Sequence, residues 1–264
     1  AQVTFPVPVE WPEQKIRVVS TQVTENVKGA RIRKLGNDAN QMYFKVPRLA
    51  AGEVAEVSVT IEIEKLESTA PTDTSGFVFG KVKSRKMRGY LTPSPYIESK
   101  HDRIVELAKS LPVDADAPAW QQVESIYTWV RENIEYKFDT EIRSCLAALD
   151  AGQGDCEEMS SLFIALCRAR GIPARAVWVP EHTYPEFYLE DADGNGHWFP
   201  CQAAGSYAFG HMPEAKPILQ KGDKFKVKDL QKPTRYIQPT MKAFGDSQPH
   251  WEWLMTQVEN SSDK

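Results

Sequence analysis

Two hydrophobic periodicities divide the chain into a strand-rich part and a mixed part. From residue 15 to about residue 66, apolar and polar residues alternate, most regularly over residues 42–46 and 57–63. A period of two is typical of half-buried antiparallel strands. The segments LGNDAN and RLAAGE separate these runs, and their small and polar residues suit short turns. The pattern therefore predicts an antiparallel β-sandwich-like domain over residues 1–90.

After residue 99 the period changes to that of amphipathic helices. Apolar residues recur at spacings of three and four over residues 104–111 and again over residues 123–134. A third helix is predicted to begin within the segment GDCEEMSS, where Asp155 can cap it and Glu158 can complete a capping box. Gly171 and Pro173 are suited to end that helix.

Strands are predicted to return after the third helix. The segments are ARAVWVP, PEFYLE, HWFPC, KFKVKD and TRYIQP, with DADGNG as a hairpin turn between the second and the third. Helices and antiparallel strands together predict an α+β domain over residues 91–245. We expect the tail, residues 246–264, to dock on the body through Trp251, Trp253 and Leu254 before a polar end.

Composition narrows the class of protein. The chain has 264 residues, 41% hydrophobic and 26% charged, with a net charge of −4, which is ordinary for a globular protein. Basic residues are interleaved with acidic ones, so nucleic acid is not an expected partner. No apolar run approaches the roughly 20 residues of a membrane span. The Ala-Gln start without Met is compatible with signal cleavage, and we therefore expect a secreted or periplasmic protein.

The candidate chemistry begins with Cys156, in the first turn of the third predicted helix. A helix start presents the positive end of the macrodipole and unpaired amide N–H groups, which favour thiolate over thiol. Glu157 and Glu158 oppose that effect if they face the sulfur. His182 follows just before a predicted strand, and the next strand pairs with it through the hairpin. Such an arrangement can bring a nucleophile, a base and the residue that orients the base together.

The segments GDC, SSLFIALCRARGIPARAV, HTYPEFYL and GHWFP carry a family resemblance. In order and spacing they resemble the transglutaminase-like (papain-like thiol) superfamily over roughly residues 90 to 210. The resemblance implies a papain-like core, in which the helix that bears the cysteine packs on an antiparallel sheet. It also implies that Cys156 is the nucleophile and His182 the general base, without a cofactor. The preceding β-domain resembles that of bacterial secreted members.

One position departs from the family pattern. Gln202 stands two residues after Pro200, where the family has an Asp. An amide oxygen can accept the imidazole Nδ1–H and hold the tautomer, but it brings no charge, and we predict that Gln202 is the third member of the site. Gln153 is the candidate second oxyanion donor beside the Cys156 N–H. Tyr184, which replaces the usual Trp, and Trp198 are the candidate substrate-binding residues.

These residues predict cysteine-dependent acyl transfer or hydrolysis. The substrate would be a peptide, a protein or another carboxamide, and the reaction, as in a protease, an amidase or a transglutaminase, would pass through a thioester. The alternative is a weakened or inactive scaffold that serves as a binding module, because Gln202 replaces the acid. A zinc site is a third possibility. However, the chain lacks C-x-x-C and H-E-x-x-H pairs, so we predict no metal. The other cysteines, Cys145, Cys167 and Cys201, are predicted to be structural.

Overall fold

The computed structural model describes residues 1–36, 39–82, 84–111, 116–227, 230–245 and 248–258. The strands are β1 (Gln2–Val7), β2 (Gln14–Val23), β3 (Lys28–Leu35), β4 (Ala39–Lys45), β5 (Val57–Lys65), β6 (Glu135–Tyr136), β7 (Gln153–Gly154), β8 (Ala174–Val179), β9 (His182–Glu190), β10 (Gly196–Pro200), β11 (Gln220–Lys221) and β12 (Thr240–Lys242). The helices are α1 (Arg85–Gly89), α2 (Asp102–Ser110), α3 (Ala119–Asn133), α4 (Cys145–Ala151) and α5 (Cys156–Ala169).

The first part of the chain forms the antiparallel β-domain that the period of two predicts. A four-stranded sheet has the order β12-β1-β4-β3, and strands β2 and β5 form a separate pair. Apolar side chains from both groups of strands enclose a small core, which contains Phe5, Val7, Val27, Met42, Phe44 and Val46, with Val57, Val59 and Ile61 packed against it. Burial of this alternate set of side chains fixes the register of the strands.

The boundary of the second domain differs from the sequence prediction at its C-terminal end. Strand β12 pairs antiparallel with β1, and Thr240 lies opposite Thr4. Residues 240–242 therefore belong to the first sheet, although the pattern assigned everything up to residue 245 to the α+β domain. Strand β1 has one edge on β4 and needs a partner for its other row of N–H and C=O groups. Three residues are too few for a period to show this pairing.

The second domain has the predicted α+β core, with the cysteine-bearing helix on an antiparallel sheet. The sheet has the order β10-β9-β8-β11, and all its pairs are antiparallel. Helix α5 packs on β8 and β9, and α2, α3 and α4 surround the helix. Leu162, Phe163 and Leu166 of α5 are fully buried, as their spacing predicts. The buried apolar face of α5 therefore fixes where its N-terminus lies relative to the sheet.

The last two predicted strands, KFKVKD and TRYIQP, are wrong. Within the described residues, these segments share only an isolated bridge between Phe225 and Thr234, and residues 228 and 229 lie outside the description. The edge strand of the sheet is instead the short β11, which pairs with β8. Phe225 and Ile237 are nevertheless buried in a small cluster. The pattern thus predicted buried side chains correctly, but the backbone that carries them is irregular and not a strand.

The two domains meet through a buried polar contact. The Gln14 side chain is fully buried; its Nε2 donates to the carbonyl of Ile218 at 2.9 Å, and its Oε1 accepts from the N–H of the same residue. Beside it, Lys221 pairs with Glu13 of the first domain and, at 2.5 Å, with Glu186 of β9. Glu186 also pairs with Arg175 at 2.8 Å. The first domain is therefore fixed to the face of the sheet opposite α5.

Candidate active site

Cys156 is the first residue of α5, and the local sequence explains why the helix begins there. Asp155 caps the helix by accepting from the N–H of Glu157 at 2.7 Å, and its own N–H donates to Glu158 at 3.0 Å. This is the predicted capping box. A Cβ at Gly154 would lie 2.7 Å from the Cβ of Glu158, so only glycine fits at this position without a shift. The cysteine is thus held at a well-defined helix start.

The sulfur of Cys156 lies beside the first residues of β9. The backbone N–H of Thr183, the residue that follows His182, is near enough to the sulfur to lower the pKa of the thiol. Burial, together with the negative charges of Asp155, Glu157 and Glu158, raises the pKa of the Cys156 thiol to about 11, although the Thr183 N–H lowers it. The favourable effect of the helix start is therefore outweighed, and the thiol is the resting form at neutral pH.

The imidazole of His182 is hydrogen-bonded to the side chain of Gln202. The distance between Nε2 and Oε1 is 2.7 Å. Gln202 follows β10, and the hairpin that joins β9 to β10 brings the two residues together. The prediction of a contact through Nδ1 is therefore wrong, because the ring nitrogen in contact with Gln202 is Nε2.

Gln202 is held on every side. The residue is fully buried, and its backbone N–H donates to the carbonyl of Ala208 at 2.8 Å. The guanidinium of Arg131 donates to the Gln202 carbonyl at 2.8 Å. The side-chain Nε2 donates to Oε1 of Glu214 at 2.9 Å. A chain of hydrogen bonds therefore runs from His182 through the amide to a carboxylate.

Glu214 and Arg131 are functional candidates that sequence reasoning missed. Glu214 lies in an irregular segment after β10, where no periodicity or motif marks it. Arg131 is a charged residue in the last turn of α3, which by itself indicates only a favourable helix end. The one signal in the sequence was Gln202 itself. If a glutamine beside a predicted base is buried, its NH₂ group needs a hydrogen-bond partner as well as its oxygen.

The three predicted substrate-site residues lie at different places. Tyr184 is buried beneath the site, with its ring centroid 6.4 Å from that of His182. Gln153 lies in β7, opposite Glu135, three residues before the nucleophile. Trp198 lies opposite Tyr188 and packs 4.0 Å from the guanidinium of Arg175, several residues along the sheet from His182.

A tyrosine that the sequence analysis did not select also borders the site. Tyr136 ends β6, which pairs in parallel with β7 just before Cys156. Its side chain is 55% exposed. Partial burial, and then the charges of Cys156 and Asp155, raises the pKa of the Tyr136 phenol. The exposed phenol therefore lies within electrostatic reach of the Cys156 thiol.

The four cysteines are all free. Cys145, Cys167 and Cys201 are fully buried, whereas Cys156 is partly exposed. Cys145 is also the first residue of a helix, but its sulfur donates to Glu98 at 2.8 Å. Among the described residues, no three His, Cys, Asp or Glu side chains are grouped so as to hold a metal ion. In the same part of the chain, no helix has the length and apolarity to span a membrane.

A match to a superfamily model and the fold of one solved structure agree with this architecture. Residues 105–203 match the model of the transglutaminase-like superfamily, a segment that contains Cys156, His182 and Gln202. A crystal structure described as a "putative cysteine protease" from Cytophaga hutchinsonii has a TM-score of 0.55 at 18% identity, over 95% of this chain and 88% of that one. A "putative protease" from Parabacteroides distasonis has a TM-score of 0.34 at 14% identity, over 78% of this chain and 40% of that one. No curated protein matches the chain.

Proposed function

We propose that this protein cleaves or transfers acyl groups of peptides or other carboxamides through a thioester on Cys156, since residues 105–203 match the model of the transglutaminase-like superfamily. The observation that carries the proposal is the position of His182. Its imidazole is hydrogen-bonded to Gln202, and the backbone N–H of the next residue along the strand, Thr183, is near enough to the sulfur of Cys156 to lower the pKa of the thiol. Such a grouping of a nucleophile, a base and an orienting residue is the geometry of acyl-transfer sites.

The first step would be general-base-assisted attack. Because burial raises the pKa of Cys156 to about 11, a proton must leave the thiol as the sulfur attacks the carbonyl carbon. In the proposed mechanism Nδ1 of His182 accepts that proton, while Nε2 remains bonded to Gln202. The carbonyl oxygen becomes an oxyanion, for which the Cys156 N–H at the start of α5 and the side chain of Gln153 are the proposed donors.

The second step would release the amine. The C–N bond breaks, the proton on Nδ1 moves to the leaving nitrogen, and the acyl group remains on the sulfur as a thioester. Water, or a second amine, then loses a proton to Nδ1 and attacks the thioester. The C–S bond breaks, the sulfur regains a proton, and the product is a carboxylic acid or a new amide. Proton balance requires only His182.

Trapping of the thioester tests this proposal. The full chain is incubated with a mixture of glutamine-containing peptides and hydroxylamine, and the hydroxamate products are measured by mass spectrometry. We expect turnover that is lost in Cys156→Ser and His182→Ala. Cys145→Ser is the matched control, since Cys145 also begins a helix but is buried against Glu98; this variant should retain activity. Hydroxamate formation that persists in Cys156→Ser would contradict the proposal.

A binding module is the second candidate function. It is favoured by the raised pKa of Cys156 and by the amide of Gln202 in place of an acid. In that case the wild-type protein would form no acyl adduct with any peptide of the mixture. Wild type and Cys156→Ser would retain the same peptides equally well in a pull-down. Adduct formation on wild type but not on the variant decides for the enzyme.

A further inference from the structure

We propose that Glu214 is a positioning residue of this site, which fixes the amide of Gln202 and, through it, the tautomer of His182. The inference rests on the proposed function only for its effect on catalysis. Its structural basis is the chain of hydrogen bonds from Nε2 of His182 to Oε1 of Gln202 at 2.7 Å, and from Nε2 of Gln202 to Oε1 of Glu214 at 2.9 Å.

A side-chain amide has one end that accepts and one end that donates. An ionised carboxylate can only accept, so the NH₂ group of Gln202 must point at Glu214. Rotation of the amide by 180° would place two acceptor oxygens against each other at the Glu214 contact. The amide oxygen of Gln202 is thereby directed at His182.

The orientation of the amide then determines which nitrogen of His182 carries the proton. An oxygen that only accepts requires a donor, so Nε2 of the neutral imidazole must be protonated. The lone pair is left on Nδ1, which is the state that a general base needs. If the amide could rotate freely, its NH₂ group would face His182 half of the time. In that orientation it would favour the opposite, inactive tautomer.

The surroundings of Gln202 leave it no other position. The residue is fully buried, and its backbone is bonded on both sides, to Ala208 and to Arg131. Oε2, the other oxygen of Glu214, pairs with Nζ of Lys216 at 3.2 Å, but both side chains are more than a third exposed, so the contact of Oε1 with Gln202 does not depend on this pair. The carboxylate also brings a negative charge to one end of the amide, which polarises the oxygen at the other end. Glu214 thus supplies indirectly, through the amide, part of the negative charge that an acid at position 202 would supply directly.

The first experiment measures the tautomer and needs no activity. The full chain is labelled with ¹⁵N-histidine, and the ring nitrogens of His182 are assigned with the help of His182→Ala. We expect the Nε2–H form in wild type and a mixture of both forms in Glu214→Leu. Glu214→Gln keeps an acceptor oxygen and should shift the populations less. Lys216→Met is the matched control: it removes the partner of Glu214 but not the contact with Gln202, so the tautomer should not change.

The second experiment measures kcat and KM on the same variants. Glu214→Leu should lower kcat by about 10-fold or more while KM stays within about two-fold, because the loss concerns the base and not substrate binding. Lys216→Met should retain the wild-type kcat.

A further variant exchanges the amide of Gln202 and the carboxylate of Glu214. Gln202→Glu alone brings two carboxylates together and should lose activity, whereas Gln202→Glu combined with Glu214→Gln restores a donor–acceptor pair and should recover it.

The two proposals fail differently. If Glu214→Leu retains the pure Nε2–H tautomer, the positioning role is overturned, whatever the enzyme does. If wild type shows no turnover but the tautomer depends on Glu214 as expected, the positioning role stands and the catalytic function is lost. If wild type turns over the peptides and Gln202→Glu does so at the same rate, Glu214 does not face the amide in solution and the inference fails.

Discussion

The side-chain oxygen of Gln202 lies 2.7 Å from Nε2 of His182, so a neutral amide occupies the place where an acid would stabilise a charged imidazole. An amide can orient the ring but cannot compensate its charge. The sulfur of Cys156 is a thiol whose pKa is raised to about 11 and not an ion that exists before a substrate arrives. In the proposed mechanism, both observations make the reaction depend on proton transfer.

Gln202→Met removes the orienting bond to His182 together with the bond to Glu214. Methionine has nearly the same shape but accepts only weakly, so His182 loses its fixed tautomer while the buried packing is preserved. We expect kcat for hydroxamate formation to fall by about 10- to 100-fold, with KM nearly unchanged. Thermal unfolding of the variant serves as the control for the fold. Equal kcat in wild type and variant would show that the amide does not orient the base.

The pH dependence of alkylation tests the resting state of Cys156. Because the pKa of the thiol is about 11, the thiolate fraction grows by about 10-fold for each pH unit below that value. Labelling by iodoacetamide in the folded protein should therefore rise throughout pH 7 to 10. A rate that is already constant above pH 7 would mean that an ion pair exists in the free protein. Peptide mapping separates Cys156 from the three buried cysteines.

Glu157→Gln tests the carboxylates around the sulfur. Burial is the main cause of the raised pKa of Cys156, and the charges of Asp155, Glu157 and Glu158 add to it. Loss of one charge should lower that pKa and speed labelling at pH 8 by about two- to five-fold. Glu141→Gln, on the exposed loop that precedes α4, is the control and should label as wild type does. An unchanged rate in Glu157→Gln would show that this charge does not reach the sulfur.

Glu186→Gln tests the buried ion pairs within the sheet of the second domain, beside its contact with the first domain. Glu186 pairs with Arg175 and Lys221, and the side chains of all three are less than 10% exposed. Removal of the charge leaves two buried cations without their shared partner. The free energy of unfolding, measured with urea, should fall by about 3–5 kcal/mol. Glu64→Gln removes the exposed pair with Lys15 and should cost less than about 1 kcal/mol. Similar losses in the two variants would refute a special role for the buried pairs.

Much of the fold could be predicted because each long element has a regular period and clear ends. The capping box of Asp155 and the hairpin between β9 and β10 are local features, and the sequence places Cys156, His182 and Gln202 on them. The short elements could not be predicted, because β11, β12 and α1 bury too few residues to produce a period. Glu214 could not be predicted either, since its role depends on a contact across twelve residues of irregular chain. Tertiary packing alone brings it to the amide.

The pairing of β12 with β1 has a consequence for the organisation of the whole molecule. Because β12 returns to the sheet that contains β1, the α+β domain is topologically an insertion within the β-domain and is connected to it at both ends. Neither domain can be removed without damage to the other. Deletion of the last segment would remove the edge strand β12 from the first sheet. It would also remove the second covalent connection, which limits the motion of one domain relative to the other.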